Sequence, residues 1–307
     1  MTSTNKNIFY FLMILAMAGW GASWVNAKVL SSYMTEYELI FFRNIFTLIT
    51  LGPVILISKK YFYINKRSLI LALVASVVMI AYMKCYFLGT KFGTASLGGA
   101  LVTTLIPINT FLIMAIFFGK KILRKDTFAL GLGAIGILTM LNVWTFSSEQ
   151  IFSIQNMYFL GASILWPTLT IVSSKITKTS PMVFTFYMYV ITTIMVSIFF
   201  VDFKSIDYNS YDSIFWINIL SLAVISTTFA TTVYFIGIEK LGTNEVSSFI
   251  FLVPFFAIIL SIIFLGEKIS PSIIIGTILT IIAVKTLNNI KIFNRKKIKK
   301  EFSEQQN

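Results

Sequence analysis

The chain has 307 residues, 57% of them hydrophobic and only 12% charged, with a mean hydropathy of +0.84. That proportion exceeds what a water-soluble core of this length holds, and the apolar residues come in long runs rather than one-sided stripes, so the chain reads as a polytopic membrane protein. The net charge of +13 does not indicate a nucleic-acid partner, because the basic residues are scattered in short segments beside apolar runs.

Apolar runs separated by charged or turn-forming residues predict ten helices. The first, 8–30, follows Lys6 and carries Trp20, Trp24 and Lys28; it is too long for a signal-peptide core and is expected to be retained. The second, 38–58, holds Arg43, and the third, 69–90, holds Tyr82, Lys84 and Tyr86. The fourth, 94–118, contains Pro107 and Asn109, and the fifth covers 127–146. The sixth, 156–176, contains Trp166-Pro167; the seventh, 182–201, contains Tyr187; the eighth, 213–237, ends past Tyr234. The ninth, 245–265, contains Pro254 and includes 20 residues, Val246 to Leu265, without a charge, enough at ~1.5 Å per residue to span a hydrocarbon layer of ~30 Å. The tenth, 271–289, precedes a basic tail. Strands are excluded by length, since membrane strands need only ~10 residues and alternate in polarity.

The basic residues set the orientation. With the amino terminus cytoplasmic, most of the 25 Lys and Arg fall in cytoplasmic segments, and only Lys91, Lys204 and Lys268 fall in outer ones. Both termini are then cytoplasmic. The tail from Lys291 to Lys300 is placed to touch anionic headgroups of the lipid bilayer.

The chain also repeats itself. Phe87-Leu88-Gly89, Gly93-Thr94, Pro107 and Gly119-Lys120-Lys121 are echoed by Phe235-Ile236-Gly237, Gly242-Thr243, Pro254 and Gly266-Glu267-Lys268, with 12 residues from proline to glycine in both copies. This divides the chain into 1–147, 148–290 and the tail 291–307. Five crossings per copy place the second copy upside down relative to the first. The fold class expected is therefore all-α, with ten transmembrane helices in two inverted five-helix repeats around one pocket, the mechanical basis of alternating access.

Several residues together resemble the EamA branch of the drug/metabolite transporter superfamily. They are Trp20-Gly21, Arg43, Ala95-Ser96, Pro107 and Gly119 in the first copy, and Trp166-Pro167, Gly242, Val246-Ser247, Pro254 and Gly266-Glu267-Lys268 in the second. The resemblance covers residues 8–289 and rests on order, spacing and duplication rather than on any one motif. It implies a ten-helix carrier in the cell (inner) membrane that moves small metabolites, often amino acids outward, without ATP. Two departures stand out: Lys120 occupies the position of the family's common glutamate, which survives only at Glu267, and Pro167 stands where helix 1 has Gly21.

Pro107 and Pro254 are candidate hinges, since each removes a helical hydrogen bond and crowds the carbonyl four residues back. The small-residue pairs Gly89/Gly93, Ala95/Gly99 and Gly19/Ser23 read as helix packing. Basic groups at membrane depth are expensive and face protein or water, so Lys84 and Arg43 are candidate contacts for an anionic group. For Arg43 and Lys28, local pairing with Glu36 or Glu38 is the alternative. Trp20, Trp24, Tyr82, Tyr86, Asn109, Trp166, Tyr187 and Tyr234 are candidates to line a cavity for an amphipathic solute.

No histidine is present, the single cysteine is Cys85, and no Asp or Glu falls mid-helix. This excludes a disulfide, leaves no constellation for metal binding or intramembrane catalysis, and implies no cofactor. It also argues against a proton-coupled carrier of cations, which needs a buried carboxylate. The function expected is secondary transport of a small-molecule metabolite, an amino acid or relative, as an exporter. The alternative is an importer of a cofactor, nucleoside or S-adenosylmethionine-like metabolite. Monomer and homodimer are both open.

Overall fold

The structure, a computed structural model, describes residues 3–59, 61–119, 121–142, 152–241, 246 and 249–287. The tail 291–307, Lys120 and Gly242 lie outside the described residues. Among those described, the chain runs through ten principal helices, a short 3-10 helix at Tyr208–Ser210, helical residues at 246 and 249, and no strand. They are α1 (Ser3–Leu30), α2 (Glu36–Ile57), α3 (Lys66–Phe92), α4 (Ala95–Phe118), α5 (Arg124–Met140), α6 (Ile154–Ser173), α7 (Pro181–Phe199), α8 (Ser213–Leu241), α9 (Leu252–Leu265) and α10 (Pro271–Leu287). Six of them, α1–α4, α7 and α8, are long and apolar enough to cross a membrane, and α9 and α10 are shorter apolar helices.

Local chemistry sets the ends. Side chains of Thr35, Asn65, Thr94 and Asp212 accept backbone N–H bonds at the starts of α2, α3, α4 and α8, satisfying donors that have no partner within the helix. At Thr35 the carboxylate of Glu38 returns to the Thr35 N–H, closing a capping box. The repeated glycines Gly119 and Gly266 end α4 and α9 with φ of 68° and 63°, a left-handed conformation that needs no Cβ.

Two elements depart from the sequence expectation. Helix α8 is not uniform: Ser221–Phe229 is π-helical between α-helical ends. Helix 9 was expected to be continuous from residue 245, but Ile250 and Phe251 form a turn and α9 starts at Leu252. The physical reason is Pro254, whose ring crowds the carbonyl four residues back, that of Ile250, and biases Val253 away from the helical region.

The most extensive helix pairings recur when the first five helices are exchanged for the last five. Helix α1 packs on α8 and α9 as α6 packs on α3 and α4, and α2 packs on α8 as α7 packs on α3; α2–α7, α4–α9 and α5–α10 are self-paired. At α5–α10, Gly133 meets Ala283 and Gly136 meets Thr280. Shifting each position by the 147 residues between Gly119 and Gly266 turns one contact into the other. These equivalent helices thus run antiparallel about a local two-fold. Gly89 against Phe159 and Gly237 against Met13 show the same relation between α3–α6 and α8–α1.

The self-pairs are close. A Cβ on Gly276 falls 2.5 Å from both the Gly136 carbonyl oxygen and Met140 Cγ, and one on Gly99 overlaps Ala257 Cβ. Gly276→Val is expected to cost about 2 kcal/mol by overpacking. Gly131→Ala, with nothing within 4 Å of the added carbon, is expected to be neutral or slightly stabilising. Thermal unfolding of both variants in detergent checks the pair.

Candidate functional site

Arg43 lies two turns inside α2, and its side chain crosses to the π-helical segment of α8. Nε and one terminal nitrogen donate to Thr227 Oγ1 at 3.3 and 3.1 Å. The Thr227 hydroxyl in turn donates to Leu222 O, five residues back, at 2.8 Å, a bond made possible by the wide turn. The same segment is tied to its neighbours throughout. Thr228 and Thr50 hydroxyls are 2.7 Å apart, Ser226 Oγ donates to Gly19 O at 2.6 Å, and Asn26 Nδ2 donates to Ser221 Oγ at 2.9 Å. Its equivalent, α3, is α-helical from end to end. The hydroxyl cluster Ser226-Thr227-Thr228 was visible in the sequence, but the π-turns were not.

Three buried phenols share this region of the molecule with the guanidinium. Tyr82 and Tyr86 on α3 and Tyr189 on α7 are all within electrostatic range of Arg43. Tyr82 and Tyr86 stack with centroids 6.1 Å apart, and the Tyr86 hydroxyl donates to Ser23 O at 2.6 Å. Trp166 lies 4.8 Å from Tyr82 and Trp24 lies 4.5 Å from Tyr86. Tyr189 was missed by sequence reasoning, which chose Tyr187. The seven-residue stripe of buried Met182, Tyr189 and Val196 is the signal that marks it.

The structure thus brings Arg43, Tyr82, Tyr86, Trp24 and Trp166 together and places the other candidates apart. Lys84 rests over the Tyr37 ring, 5.4 Å from its centroid, whereas Arg43 donates to Thr227. The Tyr187 hydroxyl donates to Phe62 O at 3.1 Å, tying α7 to the α2–α3 connection. Trp20 and Tyr234 form a second ring pair at 5.2 Å on α1 and α8, the repeat-related counterpart of Trp166 with the α3 tyrosines. Asn109 Nδ2 bridges α4 to α6 through Ser163 O and Oγ, both at 2.9 Å. The two prolines are not equivalent: Pro107 lies in the interior of α4, whereas Pro254 is in the first turn of α9, where its missing N–H costs nothing.

Among the described residues neither Arg43 nor Lys28 pairs with Glu36 or Glu38. Lys28 Nζ instead donates to the carbonyls of Lys91 and Gly93, at 2.9 and 2.6 Å, at the end of α3. Across the same α3–α4 turn, Glu267 accepts from Ala95 N, Ser96 N and Ser96 Oγ at 2.8, 3.0 and 2.5 Å, at the start of α4. A cation at a helix C-terminus and an anion at an N-terminus both oppose the helix dipole favourably. The turn is thus clamped by α1 of one copy and the α9–α10 corner of the other. Glu267→Ala is expected to cost about 2 kcal/mol, since it strips a carboxylate from three donors, and to show as a lowered Tm.

On the same face, Tyr33 Oη donates to Asp212 Oδ1 at 2.9 Å. The Asp212 carboxyl is held below its usual range by the Phe215 backbone N–H first and the Tyr33 hydroxyl second. A lowered carboxylate value in the folded state means that its contribution is present above about pH 4 and lost as pH falls through the folded value. Wild type and Asp212→Asn are expected to differ in Tm at neutral pH and to converge in acid. A cavity of about 260 Å³ also opens nearby, among Thr94, Asn142, Gln155 and Ser270, and it shares no residue with the Arg43 cluster.

This geometry can be set beside known proteins. A solved crystal structure superposes with a TM-score of 0.63 over 94% of this chain and 99% of its own, at 14% identity, which speaks to the fold alone. An uncharacterized transporter of Bacillus subtilis (strain 168), YyaM, is 22% identical over 233 residues, or 74% of this chain and 75% of that protein. The WAT1-related protein At3g56620 of Arabidopsis thaliana is 31% identical over 127 residues, 39% of this chain and a third of its own length. The model of the EamA-like transporter family matches twice, over residues 7–142 and 153–288, on either side of the boundary between the antiparallel halves, and the chain is therefore a member of the EamA-like transporter family.

Proposed function

We propose that this transporter is a secondary carrier, working by alternating access, for a small organic solute bearing a carboxylate or similar anionic group, and that Arg43 is its anion contact. The observation that carries this reading is the company Arg43 keeps. Its guanidinium is bound to one neutral hydroxyl, with no carboxylate partner among the described residues, inside a layer of buried aromatic rings. An arginine at membrane depth is costly, and a neutral partner returns little of that cost. An incoming anion supplies the missing charge through the planar, bidentate geometry that arginine favours.

The aromatic walls suit the apolar part of an amphipathic solute. In this reading the ten helices cross the inner membrane, both termini face the cytoplasm, and the two halves rock about the shared axis. Amino acids and related metabolites match the chemistry, and export is the direction implied by the resemblance within the family. Carboxylates at helix starts, such as Glu38 and Asp126, are committed to capping backbone N–H groups, which weighs against a permanently cationic substrate.

Flux into and out of proteoliposomes, across a panel of amino acids, nucleosides and flavins, tests the proposal. Arg43→Gln is expected to weaken transport of every accepted carboxylate by ~10- to 100-fold, the loss of a charge-assisted bond of about 1.5–3 kcal/mol, while Lys84→Ala stays near wild type. Carboxylate-free solutes moving as well as amino acids would overturn the anion reading.

A further inference from the structure

Four buried polar atoms on α2 and α7 have no hydrogen-bond partner: Asn44 Oδ1 and Nδ2, Thr47 Oγ1 and Thr192 Oγ1. All three residues are fully buried, at 0% exposure. Ser153, Thr179 and Thr232 also carry such atoms, but those residues are only half-buried. Most helical Thr hydroxyls here bond back to the carbonyl four residues earlier, as do Thr50, Thr90, Thr104, Thr110 and Thr193. For Thr192 that carbonyl belongs to Met188, and Ser76 Oγ already donates to it at 3.0 Å.

The three residues share a layer. Tyr37 stacks on Phe200 at 4.6 Å and Gly52 lies against Phe186, so α2 and α7 run antiparallel and the stretch 44–47 stands opposite 191–194. Asn44 and Thr47 belong to the fully buried stripe of α2 that continues through Leu51 and Ile55. The Arg43 guanidinium reaches the same layer, because its acceptor Thr227 is the neighbour of Thr228, which meets Thr50 one turn beyond Thr47.

A buried donor or acceptor left unpaired forfeits its hydration without replacement, so several in one layer penalise the conformation that encloses them. Members of buried networks are ordinarily satisfied, and a cluster that is not calls for a partner arriving from elsewhere. The layer is packed shut here, so the partner arrives when α2 and α7 part.

Resting on the anion role of Arg43, we infer that Asn44, Thr47 and Thr192 form the second half of the binding site. They would receive the ammonium or hydroxyl group of the solute whose carboxylate Arg43 holds. Asn44 Oδ1 and the two hydroxyl oxygens accept from an ammonium or hydroxyl, and Asn44 Nδ2 donates to a solute oxygen. The substrate class is therefore a small carboxylate carrying a second hydrogen-bonding group near it, an amino or hydroxy acid, rather than a plain carboxylate. A site built to bond such a group discriminates strongly against the analogue that lacks it, because its own polar atoms are then left unpaired.

The test compares transport of an amino acid with that of its desamino analogue of equal chain length in wild type, Thr47→Val, Thr192→Val, Asn44→Leu and Arg43→Gln. Valine matches threonine in shape, so thermal unfolding of the two valine variants is expected to be unchanged or improved, and either one suffices if the Asn44 variant does not fold. The expected result is that KM for the amino acid rises at least ~10-fold while KM for the desamino analogue stays put, so that selectivity narrows. Equal KM values for both solutes in wild type and valine variants would overturn the inference, as would lowered stability with unchanged selectivity, which marks a structural role. If Arg43→Gln transports normally, the anion reading itself has failed; if it alone is inactive and selectivity never moves, only the second half of the site has.

Discussion

The close antiparallel contact between equivalent helices organises everything else in this molecule. At α5–α10 the backbones approach until Gly276 leaves no room for a Cβ beside the Gly136 carbonyl, and at α4–α9 Gly99 meets Ala257 in the same way. Within a bilayer no hydrophobic gain drives helices together, so association depends on intimate packing, which small residues permit. Because the contacts join a helix to its own repeat counterpart, they create a local two-fold and oblige the remaining helices to pair in related couples. Helices α1 and α8 on one side, and α3 and α6 on the other, then bring their tryptophans and tyrosines toward the space between the halves.

The departures from that symmetry fall in α8, at the two prolines and at the α3–α4 turn. Helix α8 is widened into π-turns where α3 is not, and the widened segment receives Arg43, Thr50 and Asn26. Pro107 interrupts the hydrogen bonding of α4 internally, while Pro254 follows a true break in the chain before α9. Glu267 joins the α9–α10 corner to the start of α4, and the residue at its repeat position in the sequence is Lys120.

Ionic and polar groups in this protein fall into two energetic classes. Lys28, Glu38, Asp126 and Glu267 are matched to helix ends, where backbone dipoles and unpaired amides or carbonyls already call for charge. Arg43 and the layer of Asn44, Thr47 and Thr192 are not matched in that way. Arg43 donates to a neutral hydroxyl, and the side-chain polar atoms of Asn44, Thr47 and Thr192 are enclosed without a hydrogen-bond partner.

Composition and the lengths of apolar runs were enough, by themselves, to determine an all-helical polytopic membrane protein, because a hydrocarbon solvent leaves helices as the way for long apolar runs to satisfy the backbone. The spacing of proline, glycine and aromatic residues was likewise enough to reveal the duplication, since a left-handed helix end at Gly119 and Gly266 is a local demand that any copy must meet. Which candidates meet was decided only in three dimensions. Lys84 and Arg43 looked alike in sequence, yet helical phase turns one toward Tyr37 and carries the other to Thr227. Tyr189 rather than Tyr187 joins the arginine, because residues two apart on a helix point to different neighbours. The unpaired layer was invisible for the same reason: a threonine becomes an orphan only when packing encloses it and another side chain takes its usual carbonyl.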